Sequence, residues 1–464
     1  MKTVNKYFGS RQFYKMTLGV AVPIMIQNGI TNFVGLLDNI MVGQVGTEQM
    51  SGIAIVNQLL LVFNLAIFGA ISGAGIFTAQ YYGSKDEEGV RNTFRFKLYI
   101  CVGITVLGIA IFSLFGEDLI RMYLKGEGNG LSIEDALRYG KQYMLVMFAG
   151  LLPFAIEGAY SGTLRECGET VVSMKAGVIA VFVNLFLNWV LIFGNLGMPE
   201  FGVRGAAIAT VISRYVQVII VIVWTHRHSE KMPFIKGAYR TMAIPRGLVK
   251  QIIVKGTPLT INEVLWSSGM AVLNQCYSLR GLDAVAAINI ASTISNLFNV
   301  VFVAFGDAIA IVVGQLLGAG KFEEAKDTDR KLITFSVVLC IGLGAVMFIL
   351  SPLFPMLYNT TDGVKTLATR YMRVSALFMP VWAFMHASYF TLRAGGNTIV
   401  TFLFDSVYLW CLSYPIAYVI SRFTSLPLIT MYFCVQSLDL IKCLVGFILV
   451  KKGVWLNNIV DKST

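Results

Sequence analysis

Long apolar runs that recur along the chain limit its fold more than any other feature. Twelve runs of about 20 residues or more alternate with short polar segments. Their approximate limits are 16–41, 51–81, 96–115, 142–163, 171–194, 205–225, 251–277, 284–317, 331–350, 371–392, 398–420 and 427–450. A helix of about 20 residues spans the hydrocarbon core of a bilayer. The sequence therefore predicts an all-α integral membrane protein in which twelve transmembrane helices cross the lipid bilayer.

The distribution of basic residues predicts how these helices are oriented. Of the 37 Lys and Arg residues, 25 lie on the same side as the termini. Basic residues are retained on the cytoplasmic side of a membrane, so we expect a multi-pass protein of the cell membrane with both termini in the cytoplasm. The net charge of +11 is spread between the apolar runs, and no nucleic-acid partner is expected.

The two halves of the chain repeat each other. At a constant offset of 235 residues, Pro23 matches Pro258, Gly46 matches Gly281, Gln80 matches Gln315, and Gly83 matches Gly318. After a small slip, "TLRECGETVV" at 163–172 aligns with "TLRAGGNTIV" at 391–400. Because 235 residues hold six spans, both halves enter the membrane from the same side, as in a parallel repeat about an axis along the membrane normal. Two pseudo-symmetric six-helix lobes around a central cleft are therefore predicted.

The longest polar segment divides these lobes. We expect an N-terminal lobe at 1–230, which holds helices 1 to 6, and a basic cytoplasmic connecting loop at 231–250. A C-terminal lobe at 251–452 would hold helices 7 to 12, and residues 453–464 would form a cytoplasmic tail.

Asp38 is the acid that most needs an explanation. It is the only ionisable side chain between Lys15 and Glu48. A carboxylate near the centre of a span costs about 2.5–3.5 kcal/mol on insertion scales. Gln27 and Thr31 share its helix face by the helical period, so this face is expected to turn away from lipid, towards the bundle or a wet cavity.

Two asparagines on helix 5 could serve the same site. Asn184 and Asn188 lie one turn apart on one face. Their amide oxygens could join the Asp38 carboxylate around a hard monovalent cation, or the acid could exchange a proton. The alternative is that the two asparagines only make hydrogen bonds between helices.

The second half carries its own polar face. Glu263, Ser267 and Asn274 on helix 7 repeat the spacing found on helix 1, but with the acid at a different height. The further candidates within the membrane are Asn296 on helix 8, His386 on helix 10 and Asp405 on helix 11. Glu263 and Asp405 are predicted to couple to a cation, and the remaining polar residues, with Gln27 and Thr31, are predicted to line a substrate cavity. On helix 12, Asp439 and Lys442 could pair with each other, three residues apart.

The sequence lacks the common motifs for metal binding and catalysis. None of the seven cysteines forms a CxxC pair, and no metal site is expected beyond a possible Na+ at Asp38 or Glu263. The chain lacks HExxH and GxSxG motifs, so we expect neither an enzyme nor a bound cofactor, only Na+ or H+ as a coupling ion.

Several longer motifs resemble those of one transporter family. The pattern P-x14-D-x4-G in "PIMIQNGITNFVGLLDNIMVG", then "GAGIFTAQYYGSKDEEGVR" and "NLFLNWVLIFGNLGMPEFGVRGAAIATVISR", is similar to the multidrug and toxic compound extrusion (MATE) family, nearest to its DinF-like branch. The resemblance implies two six-helix lobes around a V-shaped cavity, and export of organic cations in exchange for sodium or protons. By position, Asp38 resembles the acid of the first helix of the family, and Asn184, Asn188 and Thr210 resemble the rest of that site. The DinF-like branch usually has Asp where this chain has Asn188, and Glu263 resembles the helix-7 acid of other branches.

Three interpretations of function remain at this point. The leading one is a secondary active multidrug efflux transporter that acts as a monomer on small organic cations. The second is a lipid-linked sugar or polysaccharide flippase of the same superfamily, which would favour a cavity rich in Arg and Lys. The third, from a different class, is a membrane-embedded enzyme or receptor.

Overall fold

The computed structural model describes residues 6–43, 46–124 and 133–461. Within the first helix, the side chains of residues 34–40, 42 and 43 lie outside this description, and Asp38 is one of them. The described residues form helices joined by short turns, and they contain no β-strand. The predicted all-α class is therefore confirmed.

Each predicted span falls on one of twelve helices in the described part of the chain. The helices are α1 Arg11–Gly43, α2 Thr47–Gly83, α3 Glu87–Leu124, α4 Ile133–Glu166, α5 Val171–Phe193, α6 Val203–Arg227, α7 Arg246–Ser278, α8 Leu282–Gly318, α9 Phe322–Leu350, α10 Asp362–Ala394, α11 Thr398–Phe423 and α12 Leu428–Lys452. Most are longer than the apolar runs because the helical backbone continues into the polar segments at each end.

Nine of the described helices are long and apolar enough to cross a membrane, namely α2 to α6, α8, α9, α11 and α12. The other three, α1, α7 and α10, have 33 residues each, so their length also suffices. Their composition is more polar, since α7 carries Glu263 and α10 carries His386 within their spans. These three helices also bear many of the side chains from which a functional site was predicted.

The helices are grouped into two compact units. Unit 1 comprises Met1–Met25, Ala79–Asp86 and Val254–Thr464, and unit 2 comprises Ile26–Thr78 and Glu87–Ile253. Each unit therefore includes short segments from the other half of the sequence. The lobe boundaries predicted from the repeat stay a prediction.

Apolar packing places the start of α1 in unit 1. Val20, Ala21 and Ile24 on α1 form one buried cluster with Ala304 and Phe305 of α8. Burial of such side chains contributes about 1.5–3 kcal/mol for each large aliphatic residue. The first turns of α1 are therefore held by helices from the second half of the sequence.

The ends of α2 and α8 meet in unit 1 in a reciprocal contact. A Cβ built on Gly83 would lie 2.6 Å from the carbonyl carbon of Gln315, and one built on Gly318 would lie 2.5 Å from that of Gln80. These four residues are two of the pairs that the repeat equates at an offset of 235. Gly83 contacts Gln315, and their equivalents Gly318 and Gln80 contact each other in the same way. Such a reciprocal pair of contacts is typical of a two-fold relation. The backbones approach this closely because both positions are glycine.

The C-terminal segment packs against this crossing. The Gln80 side chain is fully buried, and its Nε2 donates to the carbonyl oxygens of Ala394 (2.9 Å) and Asn457 (3.1 Å). Its Oε1 accepts from the backbone N–H of Ile459 at 2.8 Å. Trp455 is 2% exposed and donates through Nε1 to a carbonyl oxygen of α12. Residues 453–460, predicted as part of a tail, are thus an integral part of unit 1.

In unit 2, the loop between α6 and α7 is bound to α3. The buried Arg95 guanidinium donates to the carbonyl oxygens of Ala238 (2.8 Å), Gly237 (3.1 Å) and Ala243 (3.4 Å). Burial raises the pKa of the Tyr239 phenol, which lies in the same loop. This predicted linker is therefore ordered by one basic side chain that satisfies several backbone acceptors.

Candidate functional site

A chain of three polar side chains links α5 and α6 in unit 2. The amide of Asn188 donates from Nδ2 to Oδ1 of Asn184 at 3.1 Å, and Nδ2 of Asn184 donates to the hydroxyl of Thr210 at 3.3 Å. The Thr210 hydroxyl donates in turn to the backbone oxygen of Ala206 at 3.0 Å. Asn184 and Asn188 are 6% and 2% exposed. The three residues predicted to act together are therefore adjacent, and their hydrogen bonds connect two helices.

The part of α1 that belongs to unit 2 begins beside α5. Gln27 packs on Gly177 of α5, where an added Cβ would lie 3.4 Å from its Cγ and Nε2. The Thr31 hydroxyl is exposed and donates to the backbone oxygen of Gln27 at 2.8 Å. The side chain of Asp38 lies outside the described residues, so its predicted approach to Asn184 and Asn188 stays a prediction.

In unit 1, Asp405 lies where α11 departs from regular helical geometry. Residues Leu403–Val407 and Leu409–Ser413 form wider π-helical turns within α11. Such turns are rare and are frequent at functional sites. The Oδ1 of Asp405 accepts from the Lys442 ammonium at 2.6 Å, and its Oδ2 accepts from Nδ2 of Asn262 at 3.1 Å. Both carboxylate oxygens are thus engaged by side chains from other helices.

Asn262 organises this group, and sequence reasoning missed it. It is 1% exposed, and its Oδ1 accepts from the backbone N–H of Ser406 at 3.2 Å, inside the π-helical turn. The Ser406 hydroxyl lies 2.6 Å from the same Oδ1, and the Asn262 Nδ2 also donates to the Tyr389 hydroxyl at 3.2 Å. An amide supplies both donors and an acceptor, so this one side chain satisfies groups on α10 and α11. Its position directly before Glu263 in the sequence was the available signal.

Glu263 and His386 lie near the Asp405 group. Glu263 is partly buried, and the charged groups that act on it most strongly are Arg393, Asp405 and Asp307. The His386 ring lies 4.8 Å from the ring of Phe302, centroid to centroid, and interacts electrostatically with Asp405. The structure therefore gathers Glu263, Asp405 and His386 in one region of unit 1, and their roles stay a prediction.

Three predicted cavity residues lie apart from these hydrogen bonds. Ser267 is partly buried, while Asn274 and Asn296 are exposed. Within the described residues, none of the hydrogen bonds of the Asp405 group reaches them.

The expected pairing of Asp439 with Lys442 is wrong in its main feature. The Lys442 ammonium forms its ion pair with Asp405 across helices, while Asp439 accepts from the indole N–H of Trp382 at 3.1 Å. Both residues lie in the segment Asp439–Lys452 of α12, but the Asp405 carboxylate on α11 lies within 2.6 Å of the Lys442 ammonium and takes the place of the local partner. A position in the first turn of that segment suits an acid.

The comparisons with known proteins agree with this architecture. The MatE family profile matches residues 23–190 and 258–419, two stretches that begin at the prolines equated by the repeat. The chain is 25% identical over 422 residues to the probable multidrug resistance protein NorM of Thermotoga maritima, and the alignment covers 89% of this chain and 87% of that protein.

Solved structures share the fold. A crystal structure of MATE in complex with MaD3S superposes with a TM-score of 0.84 at 21% identity, covering 98% of both chains. An outward-facing multidrug resistance MATE family transporter of the MOP superfamily superposes with a TM-score of 0.83 at 20% identity, again covering 98% of both chains. The twelve helices are therefore arranged in the fold of those transporters.

Proposed function

The chain belongs to the MatE family, and from that premise we propose that it is a secondary active multidrug efflux transporter that exchanges organic cations for Na+ or H+. The observation that carries the proposal is the presence of partly buried acids and buried amides in otherwise apolar helices, together with this family membership. Ionisable groups within membrane spans are expensive, and they mark substrate and ion pathways.

The acidic character of these spans favours cationic cargo. Asp38 is the sole ionisable residue of its apolar run, and Glu263 and Asp405 lie together in unit 1. A carboxylate attracts an organic cation, and oxygen ligands are those that hard cations prefer. The relatives named as multidrug resistance proteins are consistent with such cargo.

We propose two places for the coupling ion. One is Asp38 with Asn184, Asn188 and Thr210, whose described members already form a hydrogen-bonded chain. The other is Glu263, which lies beside the Asp405 group. Binding of Na+ or H+ from outside and its release inside would then accompany export of the drug.

The distribution of basic residues supports a location for the transporter. With 25 of 37 Lys and Arg residues on one side, both termini would be cytoplasmic in a multi-pass protein of the plasma membrane. We propose that it acts as a monomer, in transport rather than in catalysis.

The test uses purified protein in liposomes loaded with ethidium, a fluorescent organic cation. A sodium gradient and a proton gradient are imposed in separate experiments. We expect ethidium to leave its compartment faster when one of these gradients is present than with neither. Ethidium movement that ignores both gradients would contradict the proposal, and would leave the flippase alternative as the one to examine.

Two charge-removing variants then locate the coupling. Asp38→Asn and Glu263→Gln keep the side-chain shape and remove one charge each, and Glu200→Gln, in an exposed loop, is the control. We expect loss of gradient-driven efflux in both variants and wild-type efflux in the control. If Glu263→Gln transports like the wild type while Asp38→Asn is inactive, coupling belongs to the first site alone.

A further inference from the structure

The cation position at Asp405 is filled by the protein itself. The Lys442 ammonium lies 2.6 Å from Oδ1 of Asp405, and the two side chains are only 10% and 18% exposed. The same ammonium lies 5.1 Å from the ring centroid of Phe404 and 5.9 Å from that of Tyr408. Aromatic faces attract cations at such distances, so carboxylate and rings together form a small site for a positive charge.

One positive charge is enough to neutralise the Asp405 carboxylate. A single carboxylate is neutralised by one monovalent cation, and a second cation beside Lys442 would meet its repulsion in a poorly solvated place. The other oxygen of Asp405 is held by Asn262. Because the ammonium is covalently attached, its presence does not depend on the sodium concentration around the protein.

We propose that Lys442 is a tethered counter-ion that occupies the cation position at Asp405, so that this acid does not bind sodium. Glu263 is then the acid of unit 1 that exchanges ions. The role of Glu263 rests on the proposed transport function. The ion pair itself rests only on the geometry of α11 and α12.

The neighbouring charges agree with this division. The titratable and charged groups near the pair are Glu263 on α7, His386 and Tyr389 on α10, Tyr408 on α11, and Asp439 and Cys443 on α12, and Arg393 acts on Glu263. Within the described ion pairs, Asp405 has Lys442 and Glu263 has none. The two acids of this region therefore differ in one respect. The Asp405 carboxylate has a cation of the protein in direct contact, whereas Arg393 acts on Glu263 without forming a described ion pair.

The test measures sodium binding directly. The full chain is purified in detergent, and its melting temperature is recorded against NaCl, with N-methylglucamine chloride keeping the ionic strength constant. Lys442→Met keeps the aliphatic length and removes the charge, Lys442→Arg keeps the charge, and the double variant Asp405→Asn with Lys442→Met removes both. We expect Lys442→Met to gain a sodium-dependent rise of several degrees up to ~100 mM NaCl, as mass action requires of a ligand that binds the folded state.

The variants separate this effect from sodium bound elsewhere. Lys442→Arg and the double variant should both show only the sodium dependence of the wild type. If Lys442→Met shows no greater dependence than the wild type, Asp405 does not accept sodium in place of the ammonium and the proposal is wrong. A Lys442→Met protein that stays unstable at saturating sodium overturns it equally, because sodium then cannot replace the lysine.

A second measurement uses an organic ammonium. Lys442→Ala leaves a space, and ethylammonium chloride should raise its melting temperature while leaving that of Asp405→Asn with Lys442→Ala unchanged. Absence of this rescue would contradict a cation site of the stated shape. These binding assays do not use transport, so failure of ethidium efflux would overturn the proposed function without affecting them.

Discussion

Replacing Gly318 by alanine would add one methyl group where α8 crosses α2. The added Cβ would lie 2.5 Å from the Cα and the carbonyl carbon of Gln80, and closer still to the carbonyl oxygen. An ordinary contact requires 3.4 Å or more, so the two carbon contacts alone would require the backbones to separate by about 0.9 Å, and the carbonyl oxygen requires a larger separation. The obstacle is backbone, which cannot rotate away as a flexible side chain would.

The separation lowers the free energy of unfolding because it disturbs the packing around the crossing. Overpacking of a well-packed interior costs about 1–3 kcal/mol. Here it would also lengthen the hydrogen bonds by which Gln80 holds the C-terminal segment, the shortest of which is 2.8 Å. At roughly 2–4 °C for each kcal/mol in a cooperative unit of a couple of hundred residues, we expect the melting temperature to fall by several degrees.

The assay is thermal unfolding of the purified protein in detergent, with Gly342→Ala as the matched control. Gly342 also lies within a helix of unit 1, but a Cβ there would meet nothing within 4 Å. Alanine in an open helical position stabilises by up to about 1 kcal/mol, so the control should melt at or above the wild-type temperature. Equal melting temperatures for Gly318→Ala and Gly342→Ala would refute the reasoning from the crossing.

Three further changes probe other contacts. Asn262→Ala should destabilise the protein by about 1–3 kcal/mol for each buried group left unpaired, and should reduce ethidium efflux in liposomes; unchanged melting and efflux would contradict its organising role. Arg95→Ala should expose the loop 237–243 to limited proteolysis, whereas the exposed Arg240→Ala should digest like the wild type. Trp455→Ala should cost about 3–5 kcal/mol on thermal unfolding, since it removes a buried ring, and a wild-type melting curve would show that this segment is not integral.

The twelve helices could be predicted because their length follows from the thickness of a bilayer. The repeat could be predicted for a different reason, since equivalent helices keep equivalent contacts. Gln80 with Gln315 and Gly83 with Gly318 were matched by offset alone, and the structure shows them at one crossing in unit 1. Features that depend on local length or on internal symmetry are therefore accessible from a single sequence.

The surroundings of Asp405 could not be predicted in this way. A π-helical turn shifts the register of every side chain after it, and no residue type predicts such a turn. Spacing along α12 favoured a local pair of Asp439 with Lys442, but the partner of Lys442 is 37 positions away. Asn262 was not predicted as a site residue because, in the sequence, an amide next to an acid resembles any other polar residue of a helix face. Tertiary packing decided each of these contacts.

The contact between Gln80 and the C-terminal segment has a consequence for biosynthesis. Gln80 is translated early, but its hydrogen-bond partners Asn457 and Ile459 lie 377 and 379 positions later. N-terminal segments leave the ribosome first, so the buried amide of Gln80 must wait for nearly the whole polypeptide before these two partners exist. Nascent chains that stop before residue 455 would insert their helices and could form the bond from Gln80 to Ala394, but they would lack its bonds to Asn457 and Ile459, which gives the cell a chemical difference between finished and unfinished copies.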